Sequence, residues 1–398
     1  MLAFATAPAA AAQQGPPLTR AAAISHAVTQ NPRVAAAIAD TAAAVARLTT
    51  ARALPDPTLA ASYTKDIPRY HVTAEMPVDQ IWNRGSRVNA AEADLQSSRY
   101  KLRYEVASVT LDVDSAYTHA LAAVEHSRLS ARNAADADSL RRMAESRRAA
   151  GDASDLDVEL AALAAGQQAN TAATDSLEVT ASLLELQGLL GTPAEQVNIA
   201  LADSLQPPDM ARVASVAGSA PPLLVASGAA TVEAAAANLR LQHRLVLGSP
   251  AFIVGFDTGD PTGDEPGLLP TFGISLPLPI FNRNRGPIAE AAAERDRATA
   301  ELATARLEST LGIRRAQATL LAANARIARD RETLQNAARV VSMSLTAYRE
   351  GATPVASVLE AERTAREVQR QYVDDVAAAA IAAATLKLLT LTPATATP

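Results

Sequence analysis

The stretches Gly151-Asp-Ala-Ser-Asp-Leu-Asp-Val158 and Tyr348-Arg-Glu-Gly-Ala-Thr-Pro-Val-Ala-Ser-Val-Leu-Glu-Ala361 decide the fold of this chain. Gly151 and Gly351 are each the only glycine for many residues around, and each lies between long runs with a helical pattern. The two glycines are 200 residues apart, and the second half of the chain can be laid on the first by that same offset without a gap. A repeat this long indicates a duplicated architectural unit rather than a short solenoid motif.

The composition favours long, closely packed helices over a conventional globular core. Of the 398 residues 48% are hydrophobic, largely alanine, and only 3% are aromatic. Alanine is the best helix former and lets helices approach closely. The formal net charge of -6 offers no basic stripe for phosphates, which argues against a nucleic-acid partner. Because cysteine is absent, disulfides, thiol catalysis and cysteine metal sites are excluded.

Each half predicts the same order of elements: a helix, two strands, a very long helix, a glycine-containing turn and a return helix. The predicted ranges are 18–191 for the first unit, with strands at 58–78 and a helical hairpin at 85–190, and 222–391 for the second, with strands at 250–279 and a hairpin at 287–391. A helix from 85 to 148 is roughly 95 Å long, too long for an ordinary globular domain.

Three segments lie outside these two units. Residues 1–17 resemble the end of a secretory signal, an apolar run followed by small residues, or else form a disordered tail. The proline-rich stretch 192–221 predicts a linker, and 392–398 predicts a C-terminal tail. The longest apolar run, from Val376 to Leu386, is about half of the ~20 residues that a membrane-spanning helix needs. A membrane protein of this sequence is therefore expected to cross as strands.

The strand segments alternate between apolar and polar residues, as a sheet between lipid and water would. One face is polar, with residues such as Ser62, His71, Thr73 and Glu75, while bulky side chains gather on the other and Trp82 lies beside the strands. The predicted lipid-facing residues are Tyr63, Val72, Phe252, Phe256, Phe272 and Ile274. A soluble sandwich with one wet face is the alternative, but all four segments are about as long as membrane strands and lead into very long helices.

The strand count requires an oligomer if the sheet lies in lipid. The smallest spanning barrels have about eight strands, and an open sheet edge is not tolerated in a bilayer. Four strands per chain cannot close a barrel, so at least two chains must contribute. The predicted fold class is mainly α with a membrane β-barrel, built from a duplicated helix-strand-strand-helix-helix unit.

These features resemble the TolC-like outer-membrane efflux proteins over nearly the whole chain. The resemblance rests on the Asn31-Pro32 helix start, the proline-bounded strand pairs and the two turn stretches quoted above. It implies a homotrimer whose twelve-stranded barrel lies in outer-membrane lipid of a Gram-negative bacterium and continues as a helical tunnel across the periplasm. It also implies two partners, a periplasmic adaptor protein and an inner-membrane pump of the resistance-nodulation-division type.

Two motifs between strand and helix are similar to those of the cobalt-zinc-cadmium efflux subgroup. They are Gln80-Ile-Trp-Asn-Arg-Gly-Ser-Arg87 and Leu276-Pro-Leu-Pro-Ile-Phe-Asn-Arg-Asn-Arg-Gly286. This narrower resemblance favours divalent metal ions as the exported substrate.

The sequence offers no catalytic motif, so a channel is favoured over an enzyme and no cofactor is expected. It contains no glycine-rich phosphate loop, no His-Glu-x-x-His and no serine between glycines at a nucleophile elbow. The histidines are scattered. His119 and His126 are seven residues apart and could share a helix face, but two lone imidazoles without carboxylate neighbours favour solvated or packed side chains over a metal site.

By the resemblance, a gate lies just beyond the two glycine turns. The family's constricting acids lie six and nine residues after the second glycine, at Ser357 and Glu360 in this chain, so the first acid is missing. Its other gate pair falls on Asp157 and Tyr348, for which a hydrogen bond is expected. A ring of Glu360 residues around the symmetry axis would filter ions, and the like charges would raise one another's pKa.

Each of these assignments has a structural alternative. Glu360 is equally consistent with a solvated helix residue, and Asp157 with an acid favoured by the positive end of its helix. The resemblance also implies that adaptor tips dock at the turns, where the contact residues are Gly151, Asp152, Gly351 and Ala352. The two glycines are equally explained by turn geometry alone.

Two other functions fit parts of the sequence. A periplasmic adaptor also has long hairpins, but it would have one hairpin between β domains instead of two of equal size. A soluble coiled-coil scaffold would not gather its phenylalanines into paired alternating segments. Detergent dependence and a heat-modifiable trimer would distinguish the channel from both.

Overall fold

The protein is mainly helical and contains a small antiparallel sheet. A computed structural model describes residues 17–78, 83–192, 197, 199–210, 221–258 and 268–393. The predictions for the N-terminal tail, for Trp82, and for parts of the linker and of the C-terminal tail concern residues outside these ranges.

The elements follow the same order in both halves of the chain. The first half contains α1 (Arg20–Gln30), α2 (Pro32–Arg52), β1 (Thr58–Tyr63), β2 (Tyr70–Pro77), α3 (Arg84–Ala149) and α4 (Asp155–Leu189), and the second contains α5 (Leu223–Arg244), β3 (Ala251–Thr258), β4 (Leu269–Ser275), α6 (Arg285–Arg349) and α7 (Val355–Thr390). The long helices α3 and α6 have 66 and 65 residues, and the return helices α4 and α7 have 35 and 36. At 1.5 Å per residue, α3 is about 99 Å long.

The break between α1 and α2 has a local cause in Asn31-Pro32. Proline disfavours helical geometry in the residue before it, so α1 ends at Gln30. The Asn31 side chain then makes two bonds: its Oδ1 accepts from the Arg33 amide at 2.9 Å, and its Nδ2 donates to the Leu189 carbonyl at 2.8 Å. One buried side chain therefore starts α2 and attaches the end of α4.

The chain folds into two compact units, and each unit takes segments from both halves. The first unit consists of Met1–Ala35, Glu105–Ser219 and Thr310–Leu391, and the second of Ala36–Tyr104, Ala220–Ser309 and Thr392–Pro398. The first unit therefore contains both glycine turns, and the second contains the sheet.

Tyr117 of α3 anchors two extended segments within the first unit. Its hydroxyl lies 2.8 Å from the Leu18 carbonyl and 2.9 Å from Asp203 Oδ2. Burial and the hydrogen bond to Asp203 raise the pKa of Tyr117 to about 12. Leu18 also forms a parallel β-bridge with Leu201. The start of the described chain and the segment after α4 are thus both attached to α3.

The sheet has the order β1-β2-β3-β4, with every neighbouring pair antiparallel. Its strands have six to eight residues. A strand that spans a membrane has about 9–11 residues, so the strand length predicted from the sequence was too great. The reason at β1 is the hairpin that follows Tyr63. There the Thr64 hydroxyl bonds the Asp66 and Pro68 carbonyls, which ends the regular ladder.

Helix α2 corrects the expectation that no helix is long and apolar enough to cross a membrane. Its 21 residues include an 18-residue window with mean hydropathy 1.3, which meets that criterion by length and composition. The apolar character of α2 comes mainly from alanine, and charged residues such as Asp40 interrupt its apolar run. In the structure α2 packs on α3, where Arg47 pairs with Asp94 and Arg52 with Glu92.

Candidate functional site

The two glycine turns have the same backbone structure. Gly151 and Gly351 have φ values of +86° and +76°, a region that residues with a Cβ rarely adopt. In each turn the glycine amide bonds the carbonyl three residues back, and the next amide, of Asp152 or Ala352, bonds the carbonyl five residues back. This is the Schellman motif that commonly ends helices. All four predicted adaptor-contact residues are exposed.

The two return helices begin differently after these matching turns. Helix α4 starts with a capping box: the Ser154 hydroxyl accepts from the Asp157 amide at 3.2 Å, and Asp157 Oδ2 accepts from the Ser154 amide at 3.2 Å. Helix α7 follows Pro354, which provides no side-chain cap. Asp157 therefore has a local structural role at the start of its helix.

The expected hydrogen bond between Asp157 and Tyr348 is not present in the structure. The Tyr348 hydroxyl is buried and has no hydrogen-bond partner in the described part of the chain. The Asp157 carboxylate is held instead by the Ser154 amide and hydroxyl, at 3.2 and 3.0 Å, because a cap three residues away costs little chain entropy. Burial raises the pKa of Tyr348, Arg147 opposes this rise, and the nearby charge of Asp157 adds to it.

Arg147 is the residue that holds Tyr348, and the sequence did not reveal it. Its guanidinium lies over the Tyr348 ring, 4.6 Å from the centroid, and also donates to the Tyr348 carbonyl. A second donor of the same group bonds the Asp152 carbonyl at 3.0 Å. Arg147 thus joins the first turn to the end of α6. The sequence shows a basic residue, Arg147, four residues before Gly151. It does not show the partner of Arg147, because Tyr348 is 201 residues away.

The ends of both hairpins share one apolar cluster beside this contact. Its buried members, from all four hairpin helices, are Leu140, Ala144, Ala161, Tyr348, Val355 and Val358. Because each hairpin contributes side chains, the two turns are packed together through this cluster as well as through Arg147.

Glu360 and Ser357 are exposed residues on one face of α7. They line the same groove between α6 and α7, together with residues such as Val340 and Thr364. Glu360 pairs with Arg363 at 2.7 Å, and this hydrogen-bonded arginine lowers the pKa of Glu360. Within one chain the charge of Glu360 is therefore partly offset by Arg363.

The sheet places all six predicted lipid-facing residues on a single face. The register pairs Val72 with Phe256, Val254 with Phe272 and Phe252 with Ile274, and Tyr63 is opposite Tyr70 in the same set. The exposed fraction is 78% for Phe272 and 70% for Ile274, which is unusual for such large apolar side chains. This face is uncovered in the single chain.

The opposite face of the sheet carries a line of polar contacts. His71 Nδ1 lies 2.8 Å from Asp257 Oδ1, and the Thr271 hydroxyl donates to Asp257 Oδ2 at 3.1 Å. His71 Nε2 lies 3.1 Å from the Thr64 hydroxyl. The alternation of the sequence indicated which face is polar, but it did not reveal that three strands are joined in this way.

In the described ranges, no group of three or more His, Cys, Asp or Glu side chains is arranged to hold a metal ion. His126 corrects one detail of the sequence prediction, because it does have a carboxylate neighbour. Its Nε2 lies 2.8 Å from Oδ1 of Asp374, a residue of α7 that is 248 positions further along the chain.

The model of one protein family, the outer membrane efflux proteins, matches residues 23–192 and 268–390. The chain belongs to this family. Among curated relatives, this efflux protein is similar to the pyoverdine export outer membrane protein OpmQ of Pseudomonas aeruginosa, with 26% identity over 310 residues. The match covers 74% of this chain and 63% of OpmQ, so it spans less than two thirds of that relative's length.

Solved structures show the same fold for this efflux protein. CusC, described in terms of folding and transmembrane channel formation, superposes with a TM-score of 0.76 at 17% identity, covering 94% of this chain and 92% of CusC. The outer membrane protein VceC of Vibrio cholerae gives a TM-score of 0.76 at 16% identity, covering 93% and 95%. The efflux protein is accordingly an outer-membrane protein, as the resemblance implied.

Proposed function

We propose that this protein is the outer-membrane exit duct of a tripartite efflux system, a passive conduit built from three copies of the chain. The observation that carries the proposal is the exposed apolar face of the sheet, on a chain whose hairpin helices have 65 and 66 residues. Lipid is the partner that suits an aromatic and aliphatic sheet face backed by a polar one. The long helices would continue the conduit as a tunnel in the periplasm.

The edges of the sheet support an oligomer. In the described ranges β1 and β4 are edge strands, each paired on one side only. Unpaired backbone groups are costly in hydrocarbon, so these edges must meet the edges of other copies. Three chains of four strands would close a twelve-stranded barrel, with the duplicated unit used six times around it.

The partners follow from the exposed turns. Gly151, Asp152, Gly351 and Ala352 form two matching exposed tips at one end of the hairpins. We assign the periplasmic adaptor to these tips and the inner-membrane pump to the far side of the adaptor. The relative OpmQ is named for pyoverdine export, whereas the motif at 276–286 favours divalent metal ions for this chain.

The oligomer can be tested with purified full-length protein. It should remain dispersed only in detergent, and it should migrate as a trimer that dissociates on heating before electrophoresis. Chemical cross-linking at increasing reagent should give a ladder that stops at three chains. A monomer that is soluble without detergent would contradict the proposed duct and favour the adaptor or the scaffold.

The proposed gate consists of Asp157, Tyr348, Ser357 and Glu360. Glu360→Ala should weaken cation selectivity and block by divalent cations in planar bilayers, since a ring of like charges at the axis would be lost.

Asp157→Ala should increase the fraction of time that the channel is open in planar bilayers, because the charge of the Asp157 carboxylate lies near the buried Tyr348 hydroxyl.

Ser154→Ala is the matched control for Asp157→Ala. Both substitutions remove the capping box, at a cost of about 0.5–2 kcal/mol, but only one removes the charge. If the two variants open equally often, Asp157 acts only as a cap. If Glu360→Ala conducts and is blocked like the wild type, Glu360 is not part of a filter.

A further inference from the structure

Two acidic side chains lie between α6 and α7, several helical turns away from the glycine turn at Gly351. Asp330 belongs to α6 and Asp375 to α7, and the Asp375 side chain is only 3% exposed. In both residues the Oδ2 atom is buried and has no hydrogen-bond partner among the described residues. The charge of Asp375 and a hydrogen bond to its side chain both raise the pKa of Asp330. Two carboxylates cannot bond each other unless one of them carries a proton.

The available positive charge satisfies only one of these acids. Arg326 Nε donates to Asp375 Oδ1 at 2.7 Å, which matches the ionised form of Asp375. Asp330 has no such partner among the described residues. The pair lies at the end of an apolar seam whose buried members include Ile327 on α6 and Val376 on α7. A second negative charge here would be both desolvated and repelled by the first.

We propose that Asp330 and Asp375 form a proton-binding site, in which a protonated Asp330 donates its hydrogen to the ionised carboxylate of Asp375. The hydrogen bond would join α6 to α7, and the pair would carry a single negative charge opposite Arg326. The ligand of this site is a proton, and its binding couples the packing of the second hairpin to pH.

The surrounding charges are consistent with this arrangement. On α6 the charges that face the pair are Arg326 and Arg329. On α7 the neighbouring acid, Asp374, is directed instead toward His126 of α3. The segment 199–210 packs against the same seam through Leu205. Its acid Asp209 precedes Met210, whose sulfur accepts from the Asn324 amide on α6.

The direction of the pH effect follows from linkage. Burial raises the pKa of Asp330, and the charge of Asp375 and the hydrogen bond to it raise it further, while the two arginines oppose the rise. The folded state therefore holds this proton more tightly than the unfolded chain, where an aspartate has a pKa of about 3.9. The stabilisation by the pair is complete at low pH and is lost as the pH rises through the raised pKa of Asp330.

Infrared titration of the detergent-solubilised wild type tests the proposal directly. With isotope-labelled aspartate, one aspartic acid C=O band should persist above the pH at which ordinary aspartates ionise. The label separates this band from Glu362, a buried acid whose pKa is also raised by burial, although Arg366 opposes the shift. Absence of the aspartic band above that range would overturn the proposal, whatever the variants do.

Variants then assign the proton to the pair. Asp330→Asn keeps a hydrogen-bond donor to Asp375, so it should fold, lack the aspartic band and show a smaller fall in unfolding temperature than the wild type as the pH rises; Glu362 accounts for the fall that remains. Asp375→Asn should also remove the band, since Asp330 could then ionise opposite Arg326. The control Asp296→Asn, an exposed acid on the same helix, should retain both the band and the pH dependence. A band that survives in Asp330→Asn and in Asp375→Asn would place the proton elsewhere and refute the site.

Discussion

Replacing Phe272 with arginine should keep the chain out of the outer membrane. Phe272 lies near the middle of β4, opposite Val254, and is 78% exposed on the apolar face of the sheet. An arginine that faces lipid near the bilayer midplane costs about 2–4 kcal/mol. In the proposed trimer every copy would carry the substitution, so the cost would be roughly 6–12 kcal/mol for the assembly. The measurement is the amount of heat-modifiable trimer in outer-membrane fractions.

Thr271→Arg is the matched control. Thr271 is the adjacent residue, so it lies at almost the same depth, but it belongs to the polar face, where its hydroxyl bonds Asp257. An arginine there could pair with that carboxylate and would face water, so Thr271→Arg should assemble nearly as well as the wild type. Equal loss of trimer in both variants would mean that the phenylalanine face does not contact lipid.

Gly191→Ala should be the most destabilising glycine substitution in the first hairpin. Gly191 has a φ of +75° at the end of α4, and a Cβ built there would lie 2.7 Å from the Gln30 carbonyl oxygen. The left-handed conformation costs about 1–2 kcal/mol for a residue with a Cβ. The overlap with rigid backbone adds roughly 1–3 kcal/mol, since the end of α1 would have to move.

The control for this prediction lies three residues earlier in the same chain segment. Gly188 is helical, and a Cβ there would meet nothing within 4 Å. Gly188→Ala should therefore be neutral or raise stability by about 0.5–1 kcal/mol. Heat-unfolding midpoints of the two variants in the same detergent give the comparison. If Gly191→Ala unfolds no earlier than Gly188→Ala, the contact between α1 and the end of α4 is not as close as described.

The features set by local sequence could be predicted. Gly151 and Gly351 end helices because they adopt positive φ, and the strict alternation of the strands determines which residues share a face, since that period is two. The capping box of Ser154 and Asp157 was also visible as two residues three apart, although Asp157 was assigned to Tyr348 instead. The strand ends were predicted less well, because they depend on hairpin hydrogen bonds.

The contacts between distant residues could not be predicted. Arg147 and Tyr348 are 201 residues apart, and Asp330 meets Asp375 only because α6 and α7 pack in one particular register. In a chain rich in alanine many registers bury similar apolar surface, so periodicity alone does not select one. The charges that meet across the seam are fixed by the tertiary structure.

The contact of Arg147 with Tyr348 has a mechanical consequence. One guanidinium grips both hairpins at their tips, through a ring face and two carbonyl oxygens. We therefore expect a displacement of either tip to move the other, because Arg147 and the apolar cluster beside it join the two hairpins at this end.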